Sequence, residues 1–288
     1  MRPFIFLLSS FLCTVSWGQY NSLLWKISGN GLSEPSYLYG TMHTKDARVF
    51  AFSDSVMPAF KRASAYAMEL DVDAVMKPSM LSKMMMGGKH SIRKMIPVAE
   101  YQLLDSLFKI QSKGLSVKLF DNMSPMLLMI MIETSALGLS DSSISGNDDA
   151  LDVYFFNEAK KQKKKLIGIE TLEEQMQAIN SLNYKEQADM LSDALREMQH
   201  GEEQQPELIQ QYLSQQLDSL LVLNEREAMP PKLYKALITD RNMRMAERMA
   251  AIVLEQSTFI AVGALHLPGD GGVIQRLRKK GFQVLPVL

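Results

Sequence analysis

The chain has 288 residues, 47% of them hydrophobic and 22% charged, a globular composition that excludes a disordered or fibrous protein. Its 31 Lys and Arg residues nearly balance 32 Asp and Glu residues, and this formal net charge of −1 argues against a nucleic-acid or anionic-membrane partner. A single cysteine, Cys13, excludes a disulfide framework and a cysteine-based zinc site. Imidazole chemistry must therefore draw on His43, His90, His200 and His266.

The first 18 residues have the pattern of a signal peptide. Arg2 gives a positive start, an apolar stretch covers residues 4–15, and small residues at Ser16 and Gly18 predict cleavage before Gln19. The stretch is too short to span a bilayer, and no later segment has 18 uninterrupted apolar residues. We therefore expect an exported protein, periplasmic or extracellular, with no transmembrane segment after cleavage; the alternative is a buried N-terminal helix.

The next part of the chain reads as two strands, a helix and a third strand. Short apolar runs at 23–28 and 36–39 flank the turn-rich segment 29–35, which predicts a hairpin. Helical spacing of apolar residues at 54–64 precedes a strand at 65–70. The order strand, helix, strand favours a parallel crossover unit.

The middle of the chain is mostly helical. The apolar spacing predicts helices at 96–111, 125–136 and 149–164. A short apolar run at 166–169 predicts a buried strand, and the capping-box spacing of Thr171 and Glu174 starts another helix. Residues 185–227 are polar and helical in period, so we expect exposed helices or a separate lobe there.

The C-terminal part returns to alternating helix and strand. After the break at Pro230-Pro231, residues 232–255 read as a helix with an interruption near Thr239-Asp240. The last predicted elements are a strand at 258–262, a helix at 273–280 and a strand at 282–287.

These elements together predict an α/β fold, with a central, mostly parallel β-sheet flanked by helices, an N-terminal hairpin and a helical insertion. We expect residues 19–288 to form a single domain. Its helical middle region should cover about 76–165 and 172–235.

Two segments repeat one pattern at the ends of predicted strands. Residues 37–43 and residues 260–266 each consist of an apolar strand followed by Gly, two residues and His. The carboxyl ends of strands face the ligand crevice in open α/β sheets, and glycine there permits a sharp turn. We expect His43 and His266 at the mouth of a crevice; the alternative is that both lie in ordinary surface loops.

Polar residues occupy comparable places elsewhere in the chain. Glu69 and Glu170 each follow an apolar run, which suits a metal-binding or general-base role and equally suits a solvated strand end. Asp240-Arg241-Asn242 begins a helix, where a polar group can be held near the edge of the sheet. The commoner arrangement there has Asp240 as the N-cap and Arg241 exposed.

The ordered set of these segments resembles the TraB/GumN family, to which the Tiki proteases also belong. Members have two Gly-x-x-His motifs, a Glu that ends an early strand, and an Asp-Arg-Asn-type segment before the second motif. The match covers nearly the whole mature chain and departs from the family in the Met-rich middle region. The matching segments are Leu24–Ile27, Tyr37–His43, Glu69, Gly168–Thr171, Glu174-Gln175, Asp240–Asn242 and Gly263–His266.

The resemblance implies a fold related to that of the erythromycin-esterase and ChaN-like proteins, together with metal-dependent peptidase activity. It implies that His43, His266 and Glu69 bind a divalent metal and that Glu69, Glu170 and Arg241 are catalytic. Nitrogen and oxygen ligands without thiolate suit Mn, Co or Zn, and also Fe. One of Glu69 and Glu170 would be a ligand and the other the base, in either order, and Arg241 would stabilise an oxyanion or orient the substrate.

The predicted function is that of an exported metal-dependent hydrolase, which cleaves a peptide or a small ester or amide with a metal-activated water. Two alternatives use the same residues. One is a non-catalytic regulatory protein that binds a peptide or a metal. The other is a metal-free, esterase-like hydrolase with His43 or His266 as the general base. The sequence leaves the substrate and the oligomeric state open.

Overall fold

The computed structural model describes residues 22–42, 44, 46–71, 82–134, 151–200, 205–226 and 229–288. The predicted signal peptide and one predicted site residue, His43, lie outside the described residues.

A six-stranded sheet forms the centre of the molecule. Its strands are β1 (Leu24–Ser28), β2 (Ser36–Thr41), β3 (Ala65–Leu70), β4 (Lys165–Glu170), β5 (Thr258–Gly263) and β6 (Gln283–Pro286). They lie in the order β4-β3-β5-β2-β1-β6; the first four are parallel, and β1 is antiparallel to both β2 and β6. The predicted α/β class, the mostly parallel sheet and the N-terminal hairpin are confirmed.

Helices connect and flank these strands. They are α1 (Val56–Arg62), α2 (Ile92–Met95), α3 (Val98–Gln111), α4 (Pro125–Thr134), α5 (Leu151–Lys161), α6 (Leu172–Ile179), α7 (Tyr184–His200), α8 (Gln205–Leu213), α9 (Leu217–Arg226), α10 (Pro231–Tyr234), α11 (Asp240–Glu255) and α12 (Val273–Lys279). None of the described helices is long and apolar enough to span a membrane.

β5, which lies between β3 and β2, is apolar from Phe259 to Val262 and is covered on both faces. Phe259, Ile260, Ala261 and Val262 are all buried, the pattern of a parallel strand packed on both faces. Phe60 of α1 and Phe155 of α5 contact the ring of Phe259, with centroids 5.2 and 5.3 Å away. This packing holds the sheet in the core and so fixes the positions of its strand ends.

The helix predicted at 96–111 is present and begins two residues later than predicted, at Val98, with Pro97 as its N-cap. Proline has no N–H to donate and disfavours helical geometry in the residue before it, and Ile96 is accordingly extended. Two helices, α2 and α3, therefore flank Pro97.

The prediction of exposed helices at 185–227 holds for one face of each helix only. Leu191 and Leu195 of α7 are buried in an apolar cluster, and Tyr212 and Leu220 of α8 and α9 are buried in the main core. The polar residues form the outer face of an amphipathic helix, whereas the apolar residues of the inner face decide where the helix packs.

The helix predicted at 232–255 is interrupted as expected. A π-helical turn, Lys235–Thr239, separates α10 from α11 without breaking the helical path. Turns of this type insert an extra residue and are frequent at functional sites.

Candidate functional site

The two Gly-x-x-His motifs leave the sheet from neighbouring strands. β2 and β5 are parallel, and Thr41 pairs with Gly263 in their register, so both motifs begin at the same edge of the sheet. Gly40 favours this close approach, because a Cβ there would lie 3.1 Å from the Cα of Ala264 and would force a small shift. His43, the end of the first motif, lies outside the described residues.

His266, the end of the second motif, lies in a short 3₁₀ turn, Ala264–His266, and is buried. Its Nδ1 is 2.6 Å from Oδ1 of Asn242, and Nδ2 of Asn242 donates to the carbonyl oxygen of Gly271 at 3.1 Å. The amide nitrogen of Asn242 donates to Gly271, so the atom of Asn242 that faces His266 is the oxygen, which can only accept. Hydrogen bonding therefore assigns the proton of His266 to Nδ1 and the lone pair to Nε2. This Nε2 lies 3.8 Å from Oε1 of Glu69.

Glu69, near the end of β3, is held by two charge-assisted hydrogen bonds. Its Oε1 accepts from the backbone N–H of Gly263 at 2.8 Å, and its Oε2 accepts from Nη2 of Arg241 at 2.5 Å. The side chain is only 15% exposed, so these bonds offset the cost of removing the carboxylate from water. They also fix Glu69 beside His266.

Glu170, at the end of β4, is fully buried behind Arg241. Its Oε2 accepts from Nε and Nη2 of Arg241 at 2.9 and 2.7 Å. Nη1 of Arg241 donates to the carbonyl oxygen of Leu237 at 3.3 Å, so every nitrogen of the guanidinium is engaged. Burial by itself lowers the pKa of Arg241, but the carboxylates of Glu69 and Glu170 outweigh it and the net shift is upward.

The alternative, in which Asp240 is the N-cap and Arg241 is exposed, is not the arrangement that the structure has. The helical path continues from the π-helical turn into α11, so no helix end is present for Asp240 to cap. Its carboxylate pairs instead with Nζ of Lys235 at 2.6 Å, and Arg241 turns inward to a position that is 8% exposed.

Three further residues reach the site without having been predicted there. Asn242 orients His266, and Nε2 of Gln175 lies 3.4 Å from Oε2 of both Glu69 and Glu170. Nη2 of Arg244 is 3.6 Å from Oε1 of Glu170. Asn242 and Gln175 stand in segments already singled out, and the i, i+3 spacing of Arg241 and Arg244 indicated one helix face.

The described part of the chain contains no group of three or more His, Cys, Asp or Glu side chains arranged to hold a metal ion. The predicted set consists of Glu69, His266 and His43, and the last of these lies outside the described part. The donor chemistry of the described pair fits a cation, because the lone pair on Nε2 of His266 faces a carboxylate oxygen. A metal or a proton between these two electron-rich atoms would offset their repulsion.

Comparison with known proteins agrees with the family resemblance found in the sequence. The model of the TraB/PrgY/gumN family matches residues 23–286. Metalloprotease TIKI2 of Danio rerio is 25% identical over 94% of this chain and 62% of its own length. Metalloprotease TIKI1 is 27% identical in Danio rerio, over 92% of this chain and 63% of its own length, and 26% in Homo sapiens, over 92% and 62%. The chain thus spans about three-fifths of the length of these curated relatives. No solved structure matches it significantly.

Proposed function

Because the chain belongs to the TraB/PrgY/gumN family, we propose that it is a metal-dependent hydrolase that cleaves peptide bonds. The names of its relatives, which are metalloproteases, support the reaction class. The observation that carries the proposal is the orientation of His266, whose Nε2 faces Glu69 because Asn242 occupies Nδ1. The sequence further suggests export through a signal peptide at residues 1–18.

In this proposal His43, His266 and Glu69 hold a divalent metal, with Mn, Co or Zn as the candidates. Such a metal supplies Lewis-acid polarisation of the scissile carbonyl and of the attacking water. The surrounding residues keep the ligands in place. Asn242 holds the His266 ring, while the Gly263 N–H and Arg241 hold Glu69.

The geometry favours different roles for the two glutamates. Glu69 lies beside His266, whereas Glu170 is completely buried with Oε2 engaged by Arg241. We therefore assign Glu69 to the metal and Glu170 to positioning Arg241. With all three guanidinium nitrogens engaged, Arg241 is better suited to orienting Glu69 than to binding a developing oxyanion.

Elemental analysis of residues 19–288 tests the proposal. The His43→Ala/His266→Ala double variant is compared with the parent and with His90→Ala, whose ring packs on Tyr184 away from the site. We expect about one metal per chain in the parent and the control, and none in the double variant. Circular dichroism checks that all three are folded, and peptide cleavage is assayed with Mn, Co and Zn.

The results separate this proposal from the two alternatives. A parent that takes up no metal after incubation with these ions, and cleaves peptides nonetheless, would be a metal-free hydrolase. A parent that binds the metal through both histidines but cleaves none of the peptides would be a binding protein on the same scaffold.

A further inference from the structure

The first Gly-x-x-His motif leaves the sheet beside a carboxylate of α5. Oγ1 of Thr41, the last residue of β2, donates a hydrogen bond to Oδ1 of Asp152 at 2.5 Å. Thr41 is buried and Asp152 is half-buried. A carboxylate that loses water on burial needs such donors, and hydrogen bonds to a charged acceptor are among the stronger ones. This contact ties the end of β2 to the start of α5.

The second motif is held in a comparable way. Asp152 is the second residue of α5, and Asn242 is the third residue of α11. Oδ1 of Asn242 orients the His266 ring. Oδ1 of Asp152 holds Thr41, which lies two positions before His43 in the chain. One polar side chain from the first turn of a helix therefore contacts each motif.

A buried tyrosine lies near both Asp152 and Glu69. The hydroxyl of Tyr66 donates to the backbone carbonyl oxygen of Asp152 at 3.4 Å, and the Tyr66 side chain is fully buried. Burial raises the pKa of Tyr66 well above its ordinary value, and the negative charges of Asp152 and Glu69 raise it further. Both carboxylates are thus close enough to act on one neutral hydroxyl, which places Asp152 on the side of α5 toward the candidate site.

A role in the helix alone does not account for this arrangement. A carboxylate in the first turn of a helix interacts favourably with the helix dipole, and an exposed side chain is sufficient for that. Asp218 is such a residue, because it is the second residue of α9 and is exposed. Asp152 instead accepts a hydrogen bond from the buried hydroxyl of Thr41. Its carboxylate therefore serves the end of the strand as well as the helix.

We propose that Asp152 is a positioning residue for the first motif; this inference rests on the proposed function. Its carboxylate fixes the side chain of Thr41, and with it the point at which the chain leaves β2 toward His43. Two positions of an extended chain span at most about 7 Å, so the position of Thr41 limits where the His43 ring can be placed. Residues that hold a metal ligand in place typically change metal affinity about 10–100-fold.

The affinity of the mature chain for Mn, Co and Zn, measured by competition with a chelator, tests this role. Asp152→Ala removes the acceptor and Thr41→Val removes the donor, whereas Thr41→Ser keeps the donor. One matched control is Asp218→Ala, at the same position of α9. The other is Thr258→Val, whose buried hydroxyl donates to a backbone carbonyl oxygen at the start of β5.

We expect Asp152→Ala and Thr41→Val to bind the metal about tenfold or more weakly than the parent, and Thr41→Ser and both controls to stay within about threefold. Thr41→Val and Thr258→Val should lose similar amounts of stability in urea, since each loses one buried hydrogen bond. A purely structural role would therefore affect the metal affinity of both alike. Parental affinity in Asp152→Ala and Thr41→Val, or an equal loss in the controls, would overturn the proposal.

The histidine rings of the metal-free proteins give a readout that does not depend on the proposed function. Two-bond ¹⁵N–¹H NMR at about pH 8, where imidazoles are neutral, reports the tautomer of each ring. The signals of His43 and His266 are those missing from the corresponding alanine variants. We expect Asp152→Ala and Thr41→Val to change the His43 signals and to leave those of His266 as in the parent.

The two measurements distinguish a failure of the metal site from a failure of the positioning role. A parent that binds none of the three metals, with His43 signals that change only in Asp152→Ala and Thr41→Val, would refute the metal site and support the positioning role. Unchanged His43 signals in both variants, or changes of equal size at His266, would overturn the positioning role.

Discussion

The guanidinium of Arg241 pairs with two carboxylates, those of Glu69 and Glu170, in a place with little access to solvent. The Glu170 side chain has no exposed surface and that of Arg241 is 10% exposed, so neither charge is solvated by bulk water. A buried ion pair gains little over an apolar pair of similar shape, yet removing one partner is costly because the other charge is left uncompensated. The pair therefore serves to hold Glu69 more than to stabilise the fold.

Arg241→Met should accordingly lower the free energy of unfolding by about 3–5 kcal/mol, because Glu170 loses the cation that is hydrogen-bonded to its Oε2. The double variant Arg241→Met/Glu170→Gln should recover part of that loss, because the fully buried residue 170 then carries no charge. Urea unfolding of both variants measures the difference. Arg62→Met, at an exposed position of α1, is the control and should change by no more than about 0.5 kcal/mol. Equal losses in the single and double variants would contradict this account.

Asn242 acts on the proposed metal only through His266. Replacing it by alanine removes the acceptor for Nδ1, so the imidazole loses both its orientation and its preferred tautomer. We expect Asn242→Ala to weaken metal affinity about 10–100-fold, measured by competition with a chelator. Met243→Ala, at the next and half-exposed position of α11, should bind as the parent does. An unchanged affinity in Asn242→Ala would exclude a positioning role.

Among the elements, the start of α6 is where the sheet edge and α11 are joined. Thr171 and Glu174 form a reciprocal capping box directly after Glu170. Arg248 of α11 donates to both carboxylate oxygens of Glu174, at 2.7 and 2.6 Å, and to the carbonyl oxygen of Ile169. The end of β4 is thus tied to the helix that carries Arg241.

The hydrogen bonds from Arg248 are the main cause that lowers the pKa of Glu174 to about 2. A carboxyl group whose pKa is lower in the folded state adds stability above its unfolded pKa of about 4.5 and loses it as the pH falls toward 2. Glu174→Gln should therefore be less stable than the parent by about 1–3 kcal/mol at pH 7, and the difference should shrink below pH 4.5.

Urea unfolding between about pH 7 and pH 3 measures this difference. Glu34→Gln, in the exposed hairpin loop, is the control, and its stability should stay within about 0.5 kcal/mol of the parent throughout. A gap between Glu174→Gln and the parent that stays constant over this range would show that the carboxylate charge is not what stabilises the junction.

The π-helical turn, Lys235–Thr239, is a second element that positions Arg241. The carbonyl oxygen of Leu237 accepts from Arg241, and Ile238 and Thr239 line a cavity of about 150 Å³ beside Asn242. One irregular turn therefore orients the first residues of α11 toward the strand ends and forms a wall of this cavity.

At the scale of the whole molecule, α8 and α9 connect parts of the sheet that are distant in sequence. The hydroxyl of Tyr212 donates to the carbonyl oxygen of Gly40 at 2.9 Å, and Gln215 accepts from the N–H of Leu23 at 3.1 Å. Leu221 lines the cavity beside the second motif. The two helices thus pack against the surroundings of both motifs.

Burial raises the pKa of Tyr212 well above its ordinary value, so its hydroxyl remains a neutral donor. Tyr212→Phe leaves the Gly40 carbonyl without this donor and should lower the free energy of unfolding by about 1–2 kcal/mol in urea. The control is Tyr154→Phe. Its ring packs on Phe50 and Phe52, and no hydrogen bond of its hydroxyl is formed within the described part of the chain. Equal losses in the two variants would indicate a packing effect only.

Local patterns were enough to identify the strands, most helix positions, the capping box and the two Gly-x-x-His motifs. Each depends on residues a few positions apart, whose spacing matches a period of 2 or 3.6 or the geometry of a turn. The polar composition of 185–227 predicted the exposed faces of these helices but not their buried ones, because composition does not distinguish the two faces of a helix. Pro97 shows that the start of a helix is less certain than its presence, since the helix predicted from 96 begins after this proline.

The sequence by itself therefore determined the elements of this α/β protein and the residue types that the proposed metal site would use at the ends of its strands. The tertiary structure alone decided which of those residues meet. Glu69 and Arg241 are 172 positions apart, and they pair because the strand order places β5 between β3 and β2 while the π-helical turn directs Arg241 inward. Such contacts depend on packing between distant elements, which no local spacing encodes.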